Sequence, residues 1–214
     1  CYLQENNGNF WLGTSSGLYY FDKSLRKFNK IDLLSDNEIF SLVFDNSGNL
    51  WAGTNNGLYN IEQGKIARSF ISSDTNINSF LGNSVLSLAY DKSGDLWIGT
   101  DRGLCKLDHS TGIIVRCNNR NEKYLSSRLT RCIYEDKEGN IWVGTTDQGL
   151  NKIEPNTGKI IQYKNNLSDS AAFWGKDVTC VLQDKEGNIW IGGFGLNMYK
   201  PETETFIHFT ESDG

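Results

Sequence analysis

The protein is a chain of 214 residues, of which 38% are hydrophobic and 12% aromatic, so it can bury the core of one sizeable domain and does not have the composition of a disordered chain. Its formal net charge is −5, and it contains no run of lysine or arginine, which argues against a nucleic-acid-binding surface because phosphate binding needs clustered positive charge. Every apolar stretch is far shorter than the roughly 20 residues of a membrane-spanning helix, so no membrane segment is predicted in this chain.

One short motif occurs five times, each time around a tryptophan. It reads glycine, asparagine or aspartate, an apolar residue, tryptophan, an apolar residue, glycine and, in four copies, threonine. The five tryptophans are Trp11, Trp51, Trp97, Trp142 and Trp190. Their spacing of roughly 40–48 residues is typical of a repeat architecture, either a propeller or a solenoid array. We expect these tryptophans to be structural residues that cover the surface of an adjacent sheet.

Each repeat predicts four short strands joined by tight turns. In the third repeat an apolar stretch at 85–90 is followed by a turn at 91–95, and further strands are predicted at 96–100, 104–107 and 113–117. Strands of this length with frequent turn signals indicate an all-β meander. The chain is predicted to be a single domain, 1–214, with repeats at about 1–30, 38–71, 84–118, 129–164 and 178–210.

Three of the five cysteines occupy one position of the repeat. At a constant distance before the first glycine of each motif stand Cys1, Ser41, Ser87, Cys132 and Cys180. The need for a small residue in a crowded part of the sheet explains this position better than a metal or redox role does. Because Cys1 fits the same repeat position, a lipid modification of Cys1 is not favoured. Cys105 and Cys117 flank the turn at 109–112, so a disulfide across this hairpin is one alternative that the sequence leaves open.

The acidic residues of the turns do not predict a metal site, because the turns lack the further carboxylates of a calcium loop. We expect Asp91, Asp136 and Asp184 to accept hydrogen bonds from turn amides instead. The sequence contains no recognisable nucleophile–base arrangement, no His/Cys metal spacing and no phosphate-binding glycine loop. It therefore predicts no catalytic residue, no metal site and no cofactor.

The motif of the third repeat, Gly94–Thr100 followed by Gly103 and Leu104, resembles the two-component regulator propeller repeat. Two copies depart from the pattern: the fourth has an extra loop residue before Gly149, and the fifth lacks one and carries Gly193 in place of threonine. The resemblance implies an all-β fold, a β-propeller in which five four-stranded blades are visible. It also implies the periplasmic sensor region of a bacterial hybrid two-component system sensor histidine kinase.

Propellers of this family usually have more than five blades, so the resemblance implies a fragment of a larger propeller. The sequence begins at Cys1 and its only methionine is Met198, from which we expect a processed or excised piece. A closed ring of five blades is the alternative. An open piece is expected to self-associate, because it exposes apolar blade faces.

The candidate ligand contacts lie in the links between repeats, which vary in length and composition and therefore can carry specificity. Equivalent positions in four links hold Asn37, Asn83, Arg128 and Lys176. We expect these side chains at one mouth of a central channel, where they could contact a ligand. The alternative is that they are ordinary polar loop residues that contact solvent only. Of the link aromatics, Phe80 and Tyr124 are expected to pack between blades. Trp174 lies outside the repeat pattern and is a candidate platform for a ligand.

The leading hypothesis is a non-catalytic ligand-sensing module that responds to an oligosaccharide and relays the signal through dimer packing, in a homodimer, to a kinase absent from this chain. Neither histidine, His109 or His208, has a helical phospho-acceptor context, so no kinase activity is predicted here. One alternative is a protein–protein interaction and dimerisation scaffold without a small ligand. Another is a propeller hydrolase or lyase, which needs paired carboxylates where the link positions carry amides and cations.

Overall fold

In a computed structural model, the protein is described over residues 1–72, 79, 82–117, 125, 127, 129–193 and 195–210. These residues form 20 strands and one short 3-10 helix, Asp32–Leu34. The strands make five antiparallel sheets of four strands, each hydrogen-bonded in chain order. In the described part of the chain, no helix has the length and apolar character needed to cross a membrane. The prediction of an all-β fold built from five four-stranded blades is confirmed.

Each repeat contributes one blade. The first consists of β1 (Tyr2–Gln4), β2 (Phe10–Thr14), β3 (Gly17–Asp22) and β4 (Lys27–Ile31), and the second of β5 (Ile39–Phe44), β6 (Leu50–Thr54), β7 (Gly57–Glu62) and β8 (Lys65–Phe70). The third consists of β9 (Val85–Tyr90), β10 (Leu96–Thr100), β11 (Gly103–Leu107) and β12 (Ile114–Arg116). The fourth consists of β13 (Thr130–Glu135), β14 (Ile141–Thr145), β15 (Leu150–Glu154) and β16 (Lys159–Tyr163), and the fifth of β17 (Val178–Gln183), β18 (Ile189–Gly193), β19 (Gly195–Lys200) and β20 (Thr205–Phe209).

In the second to fifth blades an aspartate closes the first turn and also accepts the tryptophan indole, and in the first blade Glu5 accepts the indole of Trp11. In the third blade Asp91 Oδ1 accepts the amides of Ser93 and Asp95, both at 3.0 Å, and Asp91 Oδ2 accepts Trp97 Nε1 at 2.8 Å. The same indole bond joins Trp142 to Asp136 at 2.8 Å, Trp190 to Asp184 at 2.7 Å and Trp11 to Glu5 at 2.9 Å. The predicted role of the turn aspartates is confirmed, and each of them also accepts the indole N–H that burial would otherwise leave unpaired.

The core lies between blades, not inside any one of them. Between the fourth and fifth blades, Trp142 and Leu150 pack against Ile189 and Ile191, with Phe173 of the link filling the same cluster. Equivalent clusters join the first blade to the second, the second to the third and the third to the fourth. The exposed fractions of Trp51, Trp97 and Trp142 are 3%, 5% and 1%.

The second glycine of each motif lets the next blade approach. A Cβ added to Gly53 would lie 2.7 Å from Cγ1 and 2.8 Å from the carbonyl oxygen of Val85, which belongs to the next blade. Ile39, Thr130 and Val178 approach Gly13, Gly99 and Gly144 in the same way. A glycine within a strand often marks such a close approach, so the blade-to-blade distance depends on the absence of a side chain here.

The shared position of the three cysteines is confirmed by the strand register. Cys132 pairs with Gly144 and Cys180 with Gly192, just as Ser41 pairs with Gly53. Burial raises the pKa of Cys132 to about 12, so its thiol stays protonated at neutral pH and is a poor nucleophile or metal ligand. Cys1 and Cys180 are both exposed. No blade covers the fifth blade at Cys180, whereas Cys1 Sγ lies 3.7 Å from the carbonyl oxygen of Ile39 in the second blade.

Cys105 and Cys117 do not form a disulfide with each other, and no other pair of the five cysteines does. Across the β11–β12 hairpin Cys105 pairs with Arg116, while the amide of Cys117 donates to the carbonyl of Leu104 at 2.9 Å. The two thiols are therefore one residue out of register and point to opposite faces of the sheet. Cys105 packs toward the second blade and Cys117 toward the fourth.

The third blade carries a buried charge where the other four repeats have asparagine. Asp95 Oδ2 lies 2.5 Å from Lys106 Nζ, and Asp95 Oδ1 accepts the amide of His109 at 2.9 Å and lies 3.0 Å from His109 Nδ1. Burial favours the neutral acid, but the hydrogen bonds from Lys106 and His109 outweigh this and hold the pKa of Asp95 below its usual value.

Replacing Asp95 with asparagine is expected to remove an acid-sensitive part of the stability. Because the folded-state pKa of Asp95 is lowered, its ion pair stabilises the fold above the unfolded-state pKa of about 4 and is lost as the pH falls through the folded-state value. The stability difference between wild type and Asp95→Asn should therefore shrink, from about 1 kcal/mol at neutral pH toward zero in acid. Urea unfolding of both proteins along a pH series measures this; a difference that does not change with pH would contradict it.

Both ends of the array leave apolar faces uncovered. The leucine near the start of the third strand is fully buried in the first four blades, where Leu18, Leu58, Leu104 and Leu150 are each 0% exposed. The equivalent Leu196 of the fifth blade is 40% exposed, and at the other end of the array Phe28 is 51% exposed. The first and fifth blades therefore do not cover each other, and the alternative of a closed five-bladed ring is not formed in this structure.

Candidate functional site

A cavity with a volume of about 710 Å³ lies beside the fifth blade. Its walls come from the link between the fourth and fifth blades and from β19 and β20. Most of the wall is apolar, with a few polar groups, which is the usual composition of a small-molecule site. We call it the fifth-blade cavity.

Trp174 is held rigidly at the wall of this cavity. Its amide donates to Asn197 Oδ1 at 3.3 Å, and its indole Nε1 donates to the carbonyl of Asp169 at 3.2 Å. One ring face stacks on His208, with the centroids 4.0 Å apart and the planes at 3°. The next residue is fixed as well, since the amide of Gly175 donates to Asn165 Oδ1 at 2.8 Å. These bonds orient the indole before any ligand arrives.

A buried asparagine connects the link to the sheet. Asn197 is 4% exposed, and its Oδ1 lies 2.6 Å from His208 Nδ1 as well as accepting the amide of Trp174. Because the amide oxygen is an acceptor, Nδ1 of His208 carries the proton in this arrangement. Nε2 of His208 and Oδ1 of Asp177 are buried without a hydrogen-bond partner, and both residues line the fifth-blade cavity. The cavity wall thus contains two buried polar atoms that could still form hydrogen bonds.

The structure brings together two of the five predicted ligand contacts. Trp174 and Lys176 both line the fifth-blade cavity, and Lys176 is exposed. Asn37 and Asn83 lie in other links and do not line this cavity. Arg128 lies outside the described residues, as do Phe80 and Tyr124.

The link positions also have a structural role through their main chain. The carbonyl oxygens of Asn83 and Lys176 accept the amides of Gly57 and Gly149, at 2.9 and 2.8 Å. Each bond ties a link to the first residue of the third strand of the preceding blade, or to the residue just before it. At Asn37 the side chain instead lies near the Asn55 side chain, with Nδ2 3.4 Å from Oδ1. Of the side chains of Lys176, Asn83 and Asn37, only that of Lys176 faces the cavity described here.

Three residues of the cavity wall, Asn197, His208 and Asp177, were missed by reasoning from sequence. One signal was available: Asn197 stands at a repeat position that holds Tyr19, Tyr59 or Cys105 in the first three blades. A polar residue at a buried position needs a partner, and here the partners are His208 and the link. Asn151 shares the position in the fourth blade, where its Nδ2 donates to the carbonyl of Val143 at 3.4 Å, so asparagine alone does not identify the cavity.

The arrangement is suited to binding. Trp174 gives a flat apolar surface, Lys176 a cation and Asp177 a carboxylate. Among the described residues, no group of three or more His, Cys, Asp and Glu side chains is arranged to hold a metal ion. A second, smaller cavity of about 390 Å³ lies between the second and third blades and is lined by turn residues such as Asp45 and His109.

Four segments of the chain match the family model described as the two component regulator propeller: residues 33–56, 79–102, 124–147 and 173–195. Each segment runs from a link through the tryptophan motif of the following repeat. No curated protein matches the sequence.

Several solved structures share the fold. The extracellular domain of a hybrid two-component system from B. thetaiotaomicron aligns over 100% of this chain and 29% of its own, with 24% identity and a TM-score of 0.81. The extracellular domain of a one-component system from the same organism aligns over 98% and 35%, with 22% identity and a TM-score of 0.56. The chain thus spans about a third of the length of these two relatives. Virginiamycin B lyase from Staphylococcus aureus aligns over 98% and 68%, with 14% identity and a TM-score of 0.72.

Proposed function

Because the chain belongs to the two-component regulator propeller family, we propose that it is the non-catalytic, ligand-sensing propeller module of a hybrid two-component signalling protein. Its fold is that of extracellular domains from such systems, which supports a location outside the cytoplasm, in the periplasm. The likeness to a lyase rests on 14% identity and concerns the fold alone, so it does not favour an enzyme.

The proposed ligand is an oligosaccharide, and the observation that carries this is the fixed indole of Trp174. A sugar ring presents an apolar face that stacks on a flat aromatic surface and a rim of hydroxyl groups that need hydrogen-bond partners. Trp174 supplies the surface, already oriented by Asn197 and Asp169. Lys176 and Asp177 in the same wall supply a donor and an acceptor. Such preorganisation lowers the entropy lost on binding.

The signal is proposed to pass through packing between two copies of the protein to a kinase elsewhere in the polypeptide. The exposed apolar faces at both ends of the array, with Leu196 at 40% and Phe28 at 51% exposure, support self-association, since large uncovered apolar patches mark interaction surfaces. The same faces also favour a second candidate function, a protein–protein scaffold that uses no small ligand.

Replacing Trp174 with alanine is expected to weaken oligosaccharide binding by about tenfold or more, because an aromatic contact contributes about 0.5–1.5 kcal/mol beyond the area that it buries. Calorimetric titration with neutral and uronate-containing oligosaccharides measures the change. Phe28→Ala is the matched control: it removes an exposed aromatic side chain at the far end of the array and should leave the affinity unchanged.

Two results would count against the sensing role. If no oligosaccharide binds the folded wild-type protein, the proposed ligand class is wrong. If ultracentrifugation shows a dimer that forms without ligand and persists in Trp174→Ala, the scaffold function is favoured instead.

A further inference from the structure

We infer that the cavity between the second and third blades is a binding site for a small molecule that carries a primary ammonium group. We call it the turn-edge cavity, and its volume is about 390 Å³. Both blades that form it pack against a neighbouring blade on each side, so the cavity does not depend on the uncovered ends of the array. Among the described residues, none lines both this cavity and the fifth-blade cavity.

Two other blade junctions show how this repeat binds an ammonium group. Between the third and fourth blades, Lys92 Nζ donates to the carbonyls of Asp136 and Lys137, at 3.0 and 2.6 Å. Between the fourth and fifth blades, Lys137 Nζ donates to the carbonyls of Asp184 and Lys185, at 2.9 and 3.3 Å. In both cases the lysine follows the turn aspartate of one blade, and the two carbonyls belong to the first turn of the next blade.

The junction between the second and third blades has the equivalent carbonyls but not the lysine. Asn46 stands where the third, fourth and fifth blades have lysine, and its side chain is shorter and uncharged. The equivalent carbonyls belong to Asp91 and Lys92, which lie in the chain between Tyr90 and Ser93 of the cavity wall. Among the described residues, no ammonium group bonds to either carbonyl. The place that a lysine ammonium takes at the next two junctions is therefore open beside this cavity.

The tryptophan in the wall also lacks the cation that its counterparts have. In the third and fourth blades a lysine ammonium lies over the motif tryptophan, 5.8 and 5.7 Å from the ring centroid. That lysine is the residue that pairs with the tryptophan across the second and third strands. In the second blade Trp51 pairs with Asn60 instead, and Trp51 lines the turn-edge cavity. Because an indole ring attracts a cation through its quadrupole, this wall suits an ammonium group.

The charges of the wall favour a cation over an anion. Asp45 and Asp108 both line the cavity. Hydrogen bonds from Ser110 and Thr111 hold the pKa of Asp108 below its usual value, so this carboxylate is ionised at neutral pH. Among the described residues of the wall, Arg68 is the only lysine or arginine. An ammonium ligand would offset the remaining negative charge, whereas an anionic ligand would add to it.

Turns of both blades meet at the rim of the cavity. A Cβ added to Gly94 would lie 3.6 Å from Cγ of His109 and 3.7 Å from Nδ2 of Asn46. His109 Nδ1 lies 3.0 Å from Asp95 Oδ1, which leaves Nε2 of the neutral imidazole as an acceptor for an ammonium proton. Asn6 holds the repeat position of Asn46 in the first blade, so asparagine alone does not identify the site. The cavity with its acidic wall does.

The probe for this site is n-butylammonium, which has the four-carbon stem and the charged group of a lysine side chain. 1-Butanol is the matched control without the charge, and sodium chloride at the same concentration controls for ionic strength. Nitrogen–proton correlation spectra of the whole chain follow the main-chain amides of Gly94 and His109. We expect saturable shifts of both amides with n-butylammonium, while the indole N–H signal of Trp174 stays in place.

Binding of 1-butanol is expected to be weaker by about tenfold or more, because it cannot form charge-assisted hydrogen bonds. The absence of saturable shifts at Gly94 and His109 with n-butylammonium would overturn the inference. Equal affinities for n-butylammonium and 1-butanol would overturn it too. Neither result bears on sugar binding beside Trp174, which these probes do not report.

Asn46→Lys tests the comparison between blade junctions. The introduced ammonium should reach the carbonyls of Asp91 and Lys92, so the affinity for n-butylammonium should fall by about tenfold or more. Asn6→Lys is the matched control, since it adds the same charge at the equivalent position of the first blade and should leave the affinity unchanged. Urea unfolding checks that both variants fold.

Two results with the variants would contradict the inference. One is undiminished binding of n-butylammonium to folded Asn46→Lys, and the other is an equal loss of binding in Asn6→Lys, which would indicate a general effect of charge. If Asn46→Lys does not fold, the comparison of n-butylammonium with 1-butanol on the wild-type chain decides by itself.

Discussion

Replacing Trp142 with alanine is expected to lower the free energy of unfolding by about 3–5 kcal/mol, the usual cost of removing a large buried aromatic side chain. Trp142 is 1% exposed and stacks on Tyr163, with the centroids 5.9 Å apart and the planes at 14°. Its loss leaves a cavity between the fourth and fifth blades and removes the indole N–H that Asp136 accepts at 2.8 Å. Denaturant unfolding followed by circular dichroism measures the change.

Trp190→Ala provides the matched comparison for this prediction. Trp190 occupies the same repeat position and donates the same hydrogen bond, to Asp184 at 2.7 Å, but it is only partly buried because no blade covers its face. The smaller burial should make its loss cost clearly less than that of Trp142. If both variants lost the same free energy of unfolding, burial between blades would not be the reason that the motif tryptophan stabilises the fold.

Replacing Gly53 with alanine is expected to destabilise the fold by about 1–3 kcal/mol, the usual cost of overpacking a core. The new methyl group would lie 2.8 Å from the main-chain carbonyl oxygen of Val85, and a backbone atom of the next blade cannot move aside without shifting that blade. Alanine loses less backbone conformational entropy on folding than glycine does. Any destabilisation must therefore come from the contact with Val85. Thermal and urea unfolding measure the effect.

Gly192→Ala tests whether the neighbouring blade is the cause. Its methyl group would meet only the Sγ atom of Cys180, at 2.6 Å, and the thiol is a single atom on a rotatable side chain that can turn away. The loss of stability should therefore be small compared with Gly53→Ala. A loss as large as that of Gly53→Ala would mean that strand glycines matter for reasons internal to their own blade.

The repeated motif allowed the blades to be predicted from sequence because every copy contains the residues that make its own local contacts. The acidic turn residue, the glycine turn and the tryptophan lie within a few residues of one another, so their contacts need no distant partner. The same alignment correctly placed Cys132 and Cys180 at one repeat position. Such local contacts form wherever the blade itself folds, whichever residues surround it.

Reasoning from sequence left the Cys105–Cys117 disulfide open, because one residue of register decided the outcome. Cys105 and Cys117 are symmetric about a point in the turn, but the pairing of Cys105 with Arg116 sends the two thiols to opposite faces. Turn geometry sets the register of a hairpin, and a shift by one residue reverses the face of every side chain. Sequence spacing alone does not contain that information.

The candidate site also shows the difference between what the sequence determines and what the tertiary structure determines. The sequence by itself determined that Trp174 breaks the repeat, because the other copies define what a regular link contains. Only the tertiary structure placed it beside His208 and Asn197, since these contacts join a link to the far strands of the next blade, over separations of 34 and 23 residues that no local pattern records. The tryptophan motifs themselves depend on both levels. Each motif lies within the sequence of a single repeat, but Trp51, Trp97 and Trp142 reach 3%, 5% and 1% exposure in clusters that they share with the next blade.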